Sequence, residues 1–325
     1  MIRIAQPGIV PPVRPVLCPD EYALGYLGRV SSINGWSKTE QVLSDLTGWV
    51  RRVDSSLTDA PPIQVLATAA GYDASTFIKG HTLLPLTLEL GRDVVRSSET
   101  NDSRIGRDLM LRGGGSGDLA LCPACLDEHI ESDTAPYWRR AHQIPGLHWC
   151  LTHGEQLIYS YRETSYLTSP AIYRKYPPPI HEAAFRAQWE CQAIHRYAEI
   201  CVRLLEYFVP LNPRHVIRTA RARALQLGLR TETKDRSAEP LREFLRRRFP
   251  ASWLTSLYGS AFHPNPSART PRLDLIISGE RCRLPVTAYA AVFAVMYPTV
   301  EAAMEALFPI SERDASAHQG DRAAA

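Results

Sequence analysis

Residues 122–125 read Cys-Pro-Ala-Cys and residues 150–153 read Cys-Leu-Thr-His, two short hooks separated by 24 residues. A Cys-x-x-Cys knuckle lets two thiolates reach one ion from a tight turn whose backbone N–H groups also bond the sulfurs. The Cys-x-x-His hook completes a tetrahedron of three sulfurs and one nitrogen. This donor set predicts one structural zinc held by Cys122, Cys125, Cys150 and His153, with no position left open. A closed site contributes folding free energy to a segment too short to have its own core. Between the hooks, Ser132, Asp133 or Thr134 reads as the cap of a helix with Pro136 in its first turn. That helix is expected to run through Tyr137-Trp138-Arg139-Arg140 and stop near Pro145-Gly146, with Trp138 or Trp149 packed against the metal lobe. A catalytic zinc fits less well. A nucleobase deaminase needs His-x-Glu upstream of Pro-Cys-x-x-Cys, whereas His129-Ile130-Glu131 lies downstream, and no His-Glu-x-x-His occurs.

The rest of the chain sets the context. Seven cysteines in 325 residues are too few, and odd in number, for a disulfide framework, so paired cysteines read as metal ligands. Cys18, Cys191, Cys201 and Cys282 are not spaced as hooks and read as small buried hydrophobes. His81, His129, His142, His148, His181 and His195 have no partner pattern and read as surface or helix residues. Ile9 to Leu17 is broken by three prolines and an arginine, which argues against a signal peptide or membrane span and for a cytoplasmic protein.

Outward from the hooks the pattern is helical. Tyr22 to Ile33 repeats apolar residues at three- and four-residue steps and ends at Asn34-Gly35. Ser37 reads as the cap of a second helix, with Glu40 as its capping-box partner, and Ile63 to Ala69 as a third. Residues 96–118, with Gly113-Gly114-Gly115-Ser116-Gly117 at their centre, read as a flexible linker. After Pro177-Pro178-Pro179 a long helix is expected from His181 to Val209, then further helices to Phe308 and a disordered tail over 311–325. The fold expected is mainly α. It has an N-terminal helical domain (1–95), a small zinc-ribbon-like segment with short flanking strands (119–176) and a basic C-terminal helical domain (177–310).

The segment Cys-Pro-Ala-Cys-Leu-Asp-Glu, then Tyr137, Arg139 and Arg140, then Cys150, His153, Gly154 and Leu157, resembles the TniQ family, which includes TnsD. Pro19-Asp20-Glu21, Gly25-Tyr26-Leu27, Arg29 and Asn34-Gly35 are similar to that family's opening, and Leu66-Ala67, Gly71 and Thr82-Leu83 to its helix-turn-helix region. The resemblance runs from about Val16 to Ile158 and is weak beyond. It implies a non-enzymatic adaptor of DNA transposition. Such a protein recognises target DNA, or a CRISPR effector complex (Cascade-like) on DNA, and recruits an AAA+ transposition ATPase (TnsC-like) and its transposase. It also suggests a homodimer. Members often carry a second cysteine hook after the first Cys-x-x-His. This chain has no cysteine between Cys150 and Cys191, which points to one zinc. A free-standing zinc-containing transcriptional regulator is the alternative.

Three surfaces are candidates for nucleic acid. In the helix-turn-helix reading, Ala67 sits at the helix crossing, Gly71 in the turn and Phe77 in the core, leaving Ser75, Thr76, Lys79 and His81 to face a groove. An ordinary αα-hairpin has the same packing needs. From Arg214 to Arg248 there are eleven basic residues against four acidic ones. Arg214, Arg218 and Arg221 share a helix face, and Arg242, Arg246 and Arg247 cluster on another. A solvated face with acid partners is the bland reading of these. Arg139 and Arg140 form a smaller patch.

Overall fold

The computed structural model describes residues 12–36, 38–57, 59–91, 119–160, 165–177, 180–207, 210–231, 238–258, 272–278 and 284–308. Ser37, the glycine-rich stretch, Phe208, Cys282 and the 311–325 tail lie outside them.

Helix α1 (Ala23–Ile33) stops at Asn34-Gly35, where Gly35 takes φ +70°. Helix α2 (Thr39–Val53) buries Val42, Leu46, Trp49 and Val50, an i, i+4, i+7, i+8 stripe. Helix α3 (Pro62–Ala70) opens on proline and closes on Gly71 at φ +82°, a left-handed cap that a β-carbon disfavours. After a three-residue turn the Asp73 side chain accepts the Thr76 N–H and starts α4 (Ala74–His81). Phe77 at the middle of α4 is fully buried, as its anchoring position requires. The short α5 (Leu84–Thr87) follows.

Strand β1 (Ala120–Leu121) pairs antiparallel with β2 (Ile158–Tyr159), and α6 (Pro123–Glu131) begins between the first two cysteines. Tight 3-10 turns occupy Ala141–Gln143, Ser165–Leu167 and Pro170–Tyr173. Then come α7 (Glu182–Trp189), α8 (Gln192–Glu206), α9 (Pro213–Gln226), α10 (Leu241–Arg246), α11 (Ala251–Tyr258), α12 (Leu275–Ser278), α13 (Val286–Met296) and α14 (Val300–Leu307). All eleven residues of α13 are buried, as a sequence apolar all round apart from Thr287 requires, and it packs chiefly on α8. No described helix is long and apolar enough to cross a membrane. The protein is thus mainly helical, with its two short strands beside the cysteines. Buried residues from Leu17 to Phe308 form one continuous apolar cluster, and a second, small one surrounds the cysteines.

Two expected helices differ. Ser132 closes α6 instead of opening a helix, its Oγ donating to the Glu128 carbonyl, and Tyr137 to Arg140 is not helical. The reason is a competing use of the backbone. Tyr22 N–H donates to the Trp138 carbonyl at 2.8 Å and Arg140 N–H to the Asp20 carbonyl at 2.7 Å. These bonds join segments more than a hundred residues apart and replace the local ones. The long helix expected from His181 breaks at Glu190-Cys191, where Cys191 is extended (φ −81°, ψ 101°) and its thiol donates to the Arg248 carbonyl. The break lets α7 lean over the metal lobe. There Trp189 meets Trp149 edge-on at 5.4 Å.

Residues 18–21 form the junction between the N-terminal helices and the lobe. Glu21 is fully buried, its carboxylate taking both Nε and Nη2 of Arg29 at 2.8 and 2.9 Å and the Cys18 N–H at 2.9 Å. Burial pushes its carboxyl up, while Arg29 and the Cys18 N–H pull it down. Asp20 accepts Arg140 Nε and Ala141 N–H, Tyr137 OH donates to the Pro19 carbonyl, and Arg140 also donates to the Lys79 carbonyl on α4.

Close approach decides two glycines in opposite directions. A β-carbon on Gly28 would lie 1.5 Å from the Tyr166 carbonyl oxygen, backbone against backbone. At Gly48, in α2, the nearest neighbour is the end of Arg52 at 3.9 Å. Gly28→Ala is expected to destabilise the fold by at least about 1–3 kcal/mol, and Gly48→Ala to stabilise it by about 0.4–1 kcal/mol. Urea unfolding of the two variants measures both signs.

Candidate metal centre

The Cys122 backbone is extended and caps α6, with Pro123 as the first helical residue, so the knuckle is a helix start and not a free turn. This start swings Cys125, one turn in, beneath Cys122. The second hook is a turn: Gly154 N–H donates to the Cys150 carbonyl, Cys150 N–H to the Glu155 carbonyl, and Gly154 takes φ +70°. The result places the Cys122, Cys125 and Cys150 sulfurs and a nitrogen of His153 within 4.8 Å of one another. Cys125 and Cys150 sulfurs are 3.7 Å apart, and His153 Nδ1 lies 3.5, 3.4 and 3.6 Å from the sulfurs of Cys122, Cys125 and Cys150. A tetrahedral zinc with bonds of about 2.3 Å to sulfur and about 2.05 Å to nitrogen requires edges of about 3.75 Å (S–S) and about 3.55 Å (S–N). The donor set therefore fits such an ion. The cysteines are buried and His153 is half-buried.

Three sulfurs this close share protons when no cation is bound. Hydrogen bonding to Cys122 and Cys150, then burial, holds the Cys125 thiol well above its usual range, while Cys150, bonded to Cys122 and Cys125, is pulled below it. A bound divalent cation replaces those protons and takes all three as thiolates.

Surrounding groups orient the donors. His153 Nε2 is 2.9 Å from Glu128 Oε1, which fixes the tautomer so that Nδ1 faces the sulfurs. Glu128 is also 3.6 Å from Arg139. His142 Nε2 lies 3.6 Å from the Cys125 sulfur, and Glu155 Oε2 accepts the Ala124 N–H at 3.3 Å and lies 3.8 Å from the Cys122 sulfur. None of these residues was given a part in orienting the donors from the sequence, where Arg139 was read as a nucleic-acid candidate and His142 as a histidine without a partner. For Glu128 the signal was the helix: with α6 starting at Pro123, it falls three residues after Cys125, on its face of the helix. The reading of the histidines as surface or helix residues is corrected at His142, which is buried outside any α-helix; His129 is in α6, as that reading allows, buried and stacked on Tyr137 at 4.1 Å. His148 is half-buried, with Nδ1 2.9 Å from Tyr159 OH, and His195 packs on Trp149. Of the cysteines read as buried hydrophobes, Cys201 is buried, whereas Cys18 and Cys191 are only half-buried.

The lobe is held from its far side as well. Tyr197 OH donates to the Pro145 carbonyl at 2.6 Å, and Trp253 Nε1 to the Gly146 carbonyl at 2.7 Å. Of the expected packing tryptophans, both Trp138 and Trp149 are fully buried. Trp138 lies against α1 at Gly25, and Trp149 against α7.

The nucleic-acid candidates separate into groups. Thr76 is exposed and Ser75 half-buried at the start of α4, Lys79 is half-buried with its carbonyl taking Arg140, and His81 turns towards the junction, its Nδ1 2.8 Å from the Glu21 carbonyl. Arg139 and Arg140 bond Glu128 and Asp20. Arg246 pairs with Glu243 at 2.8 Å, Arg247 pairs with Glu239, and Arg242 lies 3.6 Å from Glu243. Arg214 and Arg218 are exposed on α9, with Arg221 half-buried beside them.

Two predictions follow from the lobe's chemistry. Glu128→Ala is expected to keep one metal per chain at saturation but to weaken affinity about 10- to 100-fold, read by competition between the protein and a chromophoric chelator for zinc. Burial pushes His148 down to about 4, and burial followed by Arg139 does the same to His129. Both are held neutral in the fold, so their stabilising share is full above about pH 6.5 and is lost as pH falls through about 4. Urea unfolding at fixed zinc across that window should show a steep acid decline, shallower in His148→Gln.

The family model for TniQ matches residues 12–157. That span runs from the arm before α1 to the residue before β2, and so contains both hooks and the whole junction. The resemblance carried by the sequence holds there. No curated protein matches the chain.

Proposed function

We propose that the TniQ domain makes this chain a non-catalytic targeting adaptor of DNA transposition, holding one structural zinc at Cys122, Cys125, Cys150 and His153. The observation that carries the reading is the match over residues 12–157 on a span whose donor cluster is closed by its own four side chains. The donor distances, near those of a tetrahedral zinc bound by three thiolates and one imidazole, support the choice of metal. When bound, the ion supplies cross-linking strength: it ties the start of α6 to the second hook. The chain's own residues do the rest. Asp20 and Glu21 fix the lobe to α1 and α4, and Tyr197 and Trp253 fix it to the helices that follow. An adaptor needs such rigidity, because it must present two partners to each other at a set spacing.

Those partners are an AAA+ transposition ATPase of the TnsC type on one side and target DNA, or a Cascade-like CRISPR effector on DNA, on the other. A homodimer would double each surface. In this reading the units 1–95, 119–176 and 177–310 are a helical segment with the helix-turn-helix, an architectural zinc segment and a basic helical segment, the first two joined by residues 96–118.

Zinc quantified in a sample that also captures the neighbouring AAA+ ATPase on target DNA tests the assignment. One zinc per chain with ATPase capture is expected. Zinc with sequence-specific DNA binding but no capture would replace the adaptor with a DNA-binding regulator, and a chain purified without metal would remove the zinc.

A further inference from the structure

The two sulfurs of the first hook have different neighbours. Cys122, at the start of α6, has the Cys125 N–H as a hydrogen-bond partner of its sulfur. The Ala124 N–H is diverted to Glu155 Oε2, which brings a carboxylate to 3.8 Å from that sulfur. The Cys125 sulfur, one turn into the helix, faces the His142 imidazole instead, with Nε2 at 3.6 Å. His142 is buried and lies outside the group of four donors.

The turn that carries His142 is clamped on both sides. On one side Ala141 N–H donates to Asp20 Oδ2 at 3.1 Å, and Arg140 N–H to the Asp20 carbonyl at 2.7 Å. On the other, the Gln143 side-chain amide pairs both ways with the backbone of Ala120. Its Oε1 accepts the Ala120 N–H at 2.9 Å, and its Nε2 donates to the Ala120 carbonyl at 2.8 Å. Ala120 lies in β1, two residues before Cys122. The imidazole therefore projects from a short bridge between the junction at Asp20 and the strand that leads into the hook.

Chemistry assigns the direction of the His142 contact. Three thiolates and one imidazole around a divalent cation leave one net negative charge in a buried setting, and buried charge needs hydrogen-bond donors. A thiolate has no proton to give, so in the loaded site the hydrogen of this contact belongs to Nε2. A bond to a charged acceptor is roughly twice as strong as a neutral one, so the contact strengthens when the thiol becomes a thiolate.

We propose that His142 is a positioning residue that couples the metal centre to the junction at Asp20, donating Nε2–H to the Cys125 thiolate of the loaded site. Loading the site holds His142 and its turn against the sulfur and so firms the bond from Ala141 to Asp20. Loosening Asp20 lets the turn retreat and weakens the metal. The coupling is equal in both directions, as linkage between two equilibria requires. The junction and the donor set thereby act as one cooperative unit. The inference rests on the zinc assignment and not on the adaptor role.

The test uses the full chain. In a sample labelled with heavy nitrogen and loaded with spin-active cadmium, NMR is expected to show a slowly exchanging His142 Nε2–H whose proton is coupled to the cadmium through the Cys125 sulfur. His142→Phe keeps a ring but has no donor. It is expected to bind zinc about 10- to 100-fold more weakly and, with cobalt(II) in the site, to move the thiolate-to-metal charge-transfer band to lower energy. His142→Gln, which restores an N–H donor, should bring the band back towards wild type. Asp20→Asn tolerates the left-handed backbone of Asp20 (φ +54°) and withdraws its charge. It is expected to weaken zinc at least about 5-fold in the wild-type background and by less than about two-fold in His142→Phe. No coupling between cadmium and the His142 proton, a band that His142→Phe leaves in place, or equal losses from Asp20→Asn in both backgrounds would each overturn the proposal. If His142→Phe does not fold, the cadmium measurement on the unaltered chain decides alone. A chain that takes up no metal would overturn the zinc assignment and the coupling with it, whereas metal bound without the His142 signature overturns the coupling alone.

Discussion

A carboxylate with no exposed surface sits at the entrance to α1, and the organisation of the N-terminal half depends on its being neutralised. Glu21 receives two bonds from Arg29 and one from the Cys18 N–H, and its own backbone carbonyl receives His81 while its strand-like backbone pairs with Arg139. Leaving a buried charge of this kind unpaired costs about 3–5 kcal/mol, so Arg29 and Glu21 stand or fall together. Because the same two residues, Asp20 and Glu21, also bond the lobe and the end of α4, one ion-paired corner sets the relative placement of three elements. The lobe cannot shift against the α3–α4 hairpin without breaking it.

The metal cluster adds a second constraint of a different kind. Its own apolar neighbourhood is small, Ala120, Leu157 and a few partly buried residues, and is separate from the main core. A lobe with so little to bury relies on cross-linking within and on its neighbours without. The neighbours are visible on both sides: the Asp20 corner and Trp138 towards α1, and Tyr197, Trp253 and Trp189 towards the later helices. An ion held by the four donors would organise the inside of a piece whose outside is already gripped.

Much of this was legible in the sequence, for reasons that are local. The two hooks bring four donors together as their spacing required, Gly71 takes the left-handed cap and Phe77 the buried position its pattern required. The illegible features are those decided by distant chain. Tyr137 to Arg140 has helix-forming residues, yet its backbone is claimed by residues 20–22. The continuous apolar pattern after His181 hides the break at Cys191, which serves the contact of Trp189 with Trp149. His142 and Glu128 carry no motif, because they assist the donors and are not donors themselves. The arginine-rich stretch was visible as a charge surplus, but which arginines have acid partners is a property of the fold.

The bonds from residues 19–20 to residues 137–141 span 118 to 121 positions. They close a loop as long as many whole domains, and closure entropy grows only logarithmically with length, about 0.6 kcal/mol for each doubling. The corner is therefore nearly indifferent to how much chain separates its two halves. Segments inserted between Gly91 and Leu119 would leave the two pieces able to find each other almost as readily, which makes this stretch the natural place for related chains to diverge in length while the corner keeps its form.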